Sequence, residues 1–145
     1  MRWGLIGAST IAEQHMIGAI RATGGDVAAV VSTSAGRAAD FAAQHGIPRA
    51  GTDLTGLLQD ETIAAVYISS TNEKHHAQAM AAVAAGKHVL CEKPLAMTVG
   101  AAAEMVAAAE RAGRVFATNH HLRCSGAHRA IRSLIASGRI GRVLS

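Results

Sequence analysis

Short apolar runs alternate with alanine-rich stretches along nearly the whole chain, and that rhythm restricts it to a parallel α/β architecture. A parallel strand is covered by helices on both faces, so it reads as an unbroken apolar run. Val27-Ala28-Ala29-Val30-Val31 has this character. Strands are predicted at 3–7, 27–32, about 49–51, 64–69, 88–91 and 115–118. Helices are predicted at about 10–23, 35–45, a short one through 59, 73–85, about 99–112 and 126–137. Thr52 or Asp53 is the expected cap of the short helix and Thr98 that of the long one, while Gly46 with Pro48, Gly86 and Gly113 supply stops. The expected fold is a doubly wound parallel sheet, the Rossmann fold, of about six strands with helices on both faces. Residues 1–119 form the nucleotide-binding unit of this reading. Residues 120–145 are a helix and a further strand, starting at Arg142, that lead toward a second domain.

Bulk properties exclude several classes. The chain has 145 residues, enough for one domain with a core of its own. Aromatics are only 3% of residues, too few for a platform on which nucleic-acid bases stack. No apolar run approaches the length of a membrane span, and no signal peptide precedes the first strand. Cys91 and Cys124 lack metal-ligand spacing and read as buried or neutral thiols, which points to a cytoplasmic protein with no metal. After Glu110 only arginines carry charge, at 111, 114, 123, 129, 132, 139 and 142. Without a nucleic-acid motif, that stripe is expected to meet an acidic surface or a phosphorylated cofactor rather than DNA.

Three segments at strand ends carry the chemistry. Gly7-Ala8-Ser9-Thr10-Ile11-Ala12 stands where a G-x-G-x-x-G fingerprint would, with serine in place of the second glycine. Gly7 permits the tight turn, and Ala12 lets helix and strand pack closely. Ser9 has two readings, a donor to a phosphate at the helix N-terminus or a simple N-cap. Strand two ends in Ser32-Thr33-Ser34, with Arg37 following, where an NAD site usually places a carboxylate. Without that carboxylate a 2′-phosphate is not repelled, and hydroxyls plus a guanidinium attract it. This predicts NADP (NADPH) over NAD. Ser69-Ser70-Thr71-Asn72-Glu73-Lys74-His75 ends strand four at the sheet edge, where α/β ligands bind. Glu92-Lys93-Pro94-Leu95 ends strand five. On residues alone, Lys93 is either held near a nicotinamide or part of a surface turn. Pro94 is a candidate cis residue.

Gly7 to Ala12, Ser70 to Glu73 and above all Glu92-Lys93-Pro94-Leu95 resemble the glucose–fructose oxidoreductase and inositol dehydrogenase (Gfo/Idh/MocA) family over essentially the whole chain. The resemblance implies NADPH-dependent reduction of a sugar or polyol carbonyl, with Lys93 catalytic. It implies cofactor contacts at Gly7, Ser9, Thr10, Ile11, Ser32, Thr33, Arg37, Ser70, Thr71, Asn72, His75, Glu92 and Lys93. Asn119 and His120 are then expected near the nicotinamide. The family also implies a downstream catalytic aspartate and histidine on a substrate-binding sheet. None of the eight histidines here matches that motif. Two functions follow as alternatives, an oxidoreductase module or an NADP-binding module without catalysis that senses cofactor or assembles with another chain. Expected partners are a small sugar or polyol and either a second copy or the C-terminal domain, with neither nucleic acid nor membrane.

Overall fold

The computed structural model describes residues 1–144. Six parallel strands, β1 (Arg2–Ile6), β2 (Asp26–Val31), β3 (Ala50–Gly51), β4 (Ala65–Ile68), β5 (His88–Cys91) and β6 (Phe116–Thr118), form one sheet. Their order is β3-β2-β1-β4-β5-β6. Six α-helices connect or follow them: α1 (Ile17–Ala22), α2 (Ala35–His45), α3 (Leu54–Gln59), α4 (His75–Ala84), α5 (Val99–Arg111) and α6 (Gly126–Ala136). This is the doubly wound arrangement expected from the alternation.

Side chains on successive strand residues point to opposite faces, and both faces are covered. Leu5, Val30 and Tyr67 pack under α1 and α2 with Ile17, Ile20, Phe41 and Ala42. Ile6, Val66, Ile68 and Val89 pack on the other face with Leu57, Ala79, Ala82, Val83 and Met105 from α3, α4 and α5. The alanine-rich helices allow this close approach. Register between β1 and β2 slips once, between Trp3 and Gly4, so Val27 and Ala29 rather than consecutive residues face them. That extra residue puts Ala28 and Ala29 into the same core cluster.

Several caps follow the sequence reading. Asp53, not Thr52, caps α3, accepting from the Gly56 N–H at 2.9 Å. Thr98 caps α5 through the Ala101 N–H at 3.2 Å. Gly46 ends α2 in the left-handed region at φ 62°, where a side chain would be strained.

Two predicted elements differ. The helix expected over 10–23 opens with a π-helical segment, Ala12–Met16, before α1. Ala12 and Ile17 are both buried, yet residues five apart fall on different faces of an α-helix. The wider turn brings them onto one face. The second difference lies at the end. Residues 142–144 form no strand, and Ser145 lies outside the described residues. No sheet edge in the described chain is paired with this segment, so its backbone groups have no ladder to join. α6 forms close to its expected span, but none of its residues is buried, and Ile131 and Ile135 face outward. Among the described residues no helix is long and apolar enough to cross a membrane.

Candidate functional site

The sheet grows toward β3 on one side of β1 and toward β6 on the other, so the loops leaving β1 and β4 diverge and open a crevice. Hydrogen bonds hold the crevice floor. The Gly7 N–H donates to the Val31 carbonyl at 2.8 Å, and the Ser69 N–H to the Ile6 carbonyl at 2.9 Å. The Ser9 hydroxyl donates to Ser69 Oγ at 2.7 Å and accepts from the Ala12 N–H at 3.2 Å. Ser9 therefore caps the helix that follows and also lines the cleft. Ser69 Oγ in turn lies 3.3 Å from the Gly7 carbonyl oxygen, which ties the first and fourth loops together.

A cleft of about 680 Å³ results. Gly7, Ser9 and Thr10 line it from the loop after β1, Ser32, Thr33 and Arg37 from the segment after β2, and Ser70 and Thr71 from the loop after β4. An adjoining cavity of about 210 Å³ shares Ser69 and Ser70 with it and adds Ile11, Asn72, His75, Glu92, Lys93 and His121. Residues after β1, β2 and β4 thus meet in the larger cleft, while Glu92 and Lys93 after β5 line only the smaller cavity beside it. Asn119 and His120 line neither cavity. His121 stands at the smaller one instead.

The individual environments are unequal. His75 is fully buried, with Nδ1 2.8 Å from the Pro94 carbonyl oxygen and Nε2 3.1 Å from that of Ser70. It joins the loop after β4 to the loop after β5. Pro94 is cis, as the sequence suggested. The Ser70 hydroxyl donates to Gln78 Oε1 at 2.5 Å, and the Thr71 hydroxyl to the Glu73 carboxylate, which lowers the Glu73 pKa. Lys93 is exposed at the cavity, and its backbone N–H lies 3.3 Å from Glu92 Oε2.

Glu92 is 6% exposed and is held as an anion. Burial raises its pKa, but hydrogen bonds from the Tyr67 hydroxyl, the Asn119 amide and the Lys93 N–H outweigh burial and hold it below the ordinary value. Tyr67 Oη and Asn119 Nδ2 each stand 2.6 Å from Glu92 Oε1. Burial, then the hydrogen bond and charge of Glu92, push the Tyr67 phenol far above its usual range. Asn119 thereby reaches the site through Glu92. Burial, with the Glu92 charge adding to it, also pushes the Cys91 thiol up to about 12, whereas Cys124 is exposed.

Sequence reasoning missed several lining residues. Ser69, Thr52, Leu54, Lys74 and Gln78 all line the larger cleft, and the buried Tyr67 is the partner of Glu92, which lines the smaller one. Ser69 and Lys74 belong to a segment marked in the sequence by its place at a strand end. Tyr67 reads as core from its apolar neighbours, and only contact with Glu92 shows otherwise. The larger cleft is lined by two cations, Arg37 and Lys74, and by no aspartate or glutamate. Such a lining, with serine and threonine hydroxyls beside it, fits a ligand carrying several phosphates. Among the described residues no three His, Cys, Asp or Glu side chains cluster as a metal site.

A family model described as an oxidoreductase family with an NAD-binding Rossmann fold, GFO_IDH_MocA, matches residues 1–120. The chain belongs to this family. It is 59% identical over 144 residues to 1,5-anhydro-D-fructose reductase of Ensifer adhaerens, covering 99% of this chain and 43% of that protein. Among solved structures it is similar to a variant of a 3-ketoreductase from Actinomadura kijaniata in complex with TDP-benzene and NADP. The TM-score is 0.91 at 29% identity, over 99% of this chain and 44% of that one. It is also similar to biliverdin reductase from Synechocystis sp. in complex with biliverdin and NADP+, with a TM-score of 0.86 at 30% identity over 99% of this chain and 44% of that one. The chain spans about 43% of the length of the curated relatives it matches. It is an NAD(P)-binding Rossmann domain of an oxidoreductase family.

Proposed function

We propose that this domain binds NADP in preference to NAD and serves the reduction of a sugar or polyol carbonyl. The observation that carries the reading is the β2 wall of the cleft, where Ser32, Thr33 and Arg37 stand and no carboxylate does. A carboxylate there would accept from the ribose hydroxyls of NAD and repel a 2′-phosphate. Hydroxyls and a guanidinium reverse that balance. The two NADP-bound structural relatives support the same choice. The identity to the Ensifer enzyme makes 1,5-anhydro-D-fructose the first substrate to test.

Arg37 and Ser32 would hold the 2′-phosphate, and the loop from Gly7 to Thr10 would face the diphosphate. Bound NADPH supplies the hydride. Lys93, at the smaller cavity, orients the substrate carbonyl oxygen and assists its protonation. Glu92 fixes the Lys93 backbone, and Tyr67 and Asn119 fix Glu92.

Arg37→Ala tests the cofactor half. It is expected to weaken NADPH binding about tenfold and NADH binding less than about twofold, the size of one charge-assisted hydrogen bond. Equal losses would remove Arg37 from phosphate recognition. For the reaction, NADPH consumption with 1,5-anhydro-D-fructose is followed by absorbance. Turnover supports the catalytic reading, and NADPH binding without turnover on any sugar or polyol leaves the non-catalytic binding module.

A further inference from the structure

We infer that Lys74 is a specificity-determining residue that binds, from the β4 side of the cleft, the phosphate that distinguishes NADP from NAD. This rests on the NADP reading above and adds a second cation to it. Lys74 is half-buried and lines the larger cleft together with Ser32, Thr33 and Arg37. It does not line the smaller cavity that contains Lys93. The same cleft is also lined by Thr52, on the segment after β3, the strand beside β2. Its charge therefore belongs to the larger cleft, the one that carries Arg37, and not to the cavity that contains Lys93.

That charge has no salt-bridge partner among the described residues, although it acts at longer range on the neighbouring Glu73. Neither Lys74 nor Arg37 has a carboxylate within 4.0 Å among the described residues. The adjacent carboxylate, Glu73, instead accepts from the Thr71 hydroxyl. The Lys74 N–H donates to the Thr71 carbonyl at 2.9 Å, closing a 3₁₀ turn over Asn72–Lys74. One turn further on, Gln78 is tied to Ser70 at 2.5 Å, so the wall that carries Lys74 is anchored at both ends. Two cations without salt-bridge partners, on different elements and lining a cleft without carboxylates, suit a ligand whose extra phosphate lies between them. The diphosphate common to NAD and NADP is already provided for by the loop after β1 and its helix N-terminus.

The test compares the wild-type chain with Lys74→Met and Lys74→Arg, using NADPH, NADH, adenosine 2′,5′-bisphosphate and adenosine 5′-monophosphate in calorimetric titrations. Lys74→Met is expected to weaken NADPH and the bisphosphate about tenfold while changing NADH and the monophosphate less than about twofold. Lys74→Arg should restore most of the loss. Equal weakening of all four ligands would place Lys74 on a shared group and overturn the inference, as would no weakening at all. The two readings fail differently. A wild-type chain that prefers NADH refutes the NADP assignment itself, whereas a wild-type preference for NADPH that survives in Lys74→Met refutes only the role of Lys74.

Discussion

Gly7→Ala is expected to cost about 3 kcal/mol of stability and to abolish measurable NADPH binding. Gly7 sits at φ +116°, a conformation that L side chains rarely adopt. A Cβ there would stand 2.9 Å from the Ser69 carbonyl carbon and oxygen and from the Ser70 nitrogen. These are backbone atoms, so no side-chain rotation relieves the contact. The loops after β1 and β4 would be forced apart, and with them the link from Ser9 through Ser69 that forms the cleft floor. Gly18→Ala is the control, because its Cβ meets nothing within 4 Å and φ there is not positive. It should stabilise by roughly 0.5–1 kcal/mol. Urea denaturation of both variants checks the pair, and equal stabilities would refute the account of the first loop.

Glu92→Leu is the second large effect, with an expected cost of about 3 kcal/mol. The change leaves the Tyr67 hydroxyl and the Asn119 amide without their shared acceptor, and Tyr67 is fully buried. Glu92→Gln retains an acceptor oxygen and should lose about 1 kcal/mol at neutral pH. The pH dependence separates charge from shape. The Glu92 pKa is lower in the folded protein than its ordinary 4.5, so its anion contributes stability above that value. That contribution shrinks as pH falls through the ordinary value and is lost below the folded pKa. The stability gap between wild type and Glu92→Gln should therefore be full at neutral pH and close on acidification. A gap that stays constant would show that the charge contributes nothing.

Much of the fold and of the cleft is legible in the amino-acid sequence, for identifiable reasons. The strands of a doubly wound sheet are covered on both sides, so runs such as Val27 to Val31 stand out as continuous apolar segments. Strand ends are where such sheets bind ligands, so Gly7, Ser32 and Ser70 are marked by position, whereas Lys93 stays ambiguous on residues alone and gains its expected role from the family resemblance. The π-helical opening at Ala12–Met16 is hidden because it depends on which residues must face the sheet, not on local propensity. Tyr67 is hidden for a related reason. A tyrosine between apolar strand neighbours looks like core, and its bond to Glu92 spans 25 residues of sequence. Lys74 stands in a marked segment without a role of its own, since a lysine near a helix start reads as solvated until the cleft wall is built around it.

One cleft gathers the ends of β1, β2 and β4, and the proposed occupant is a dinucleotide carrying a 2′-phosphate. The decisive measurement is a calorimetric titration of the chain with NADPH and then with NADH. Saturable one-to-one binding of NADPH, at least about tenfold tighter than NADH, is the predicted result. Equal affinities, or tighter binding of NADH, would contradict it.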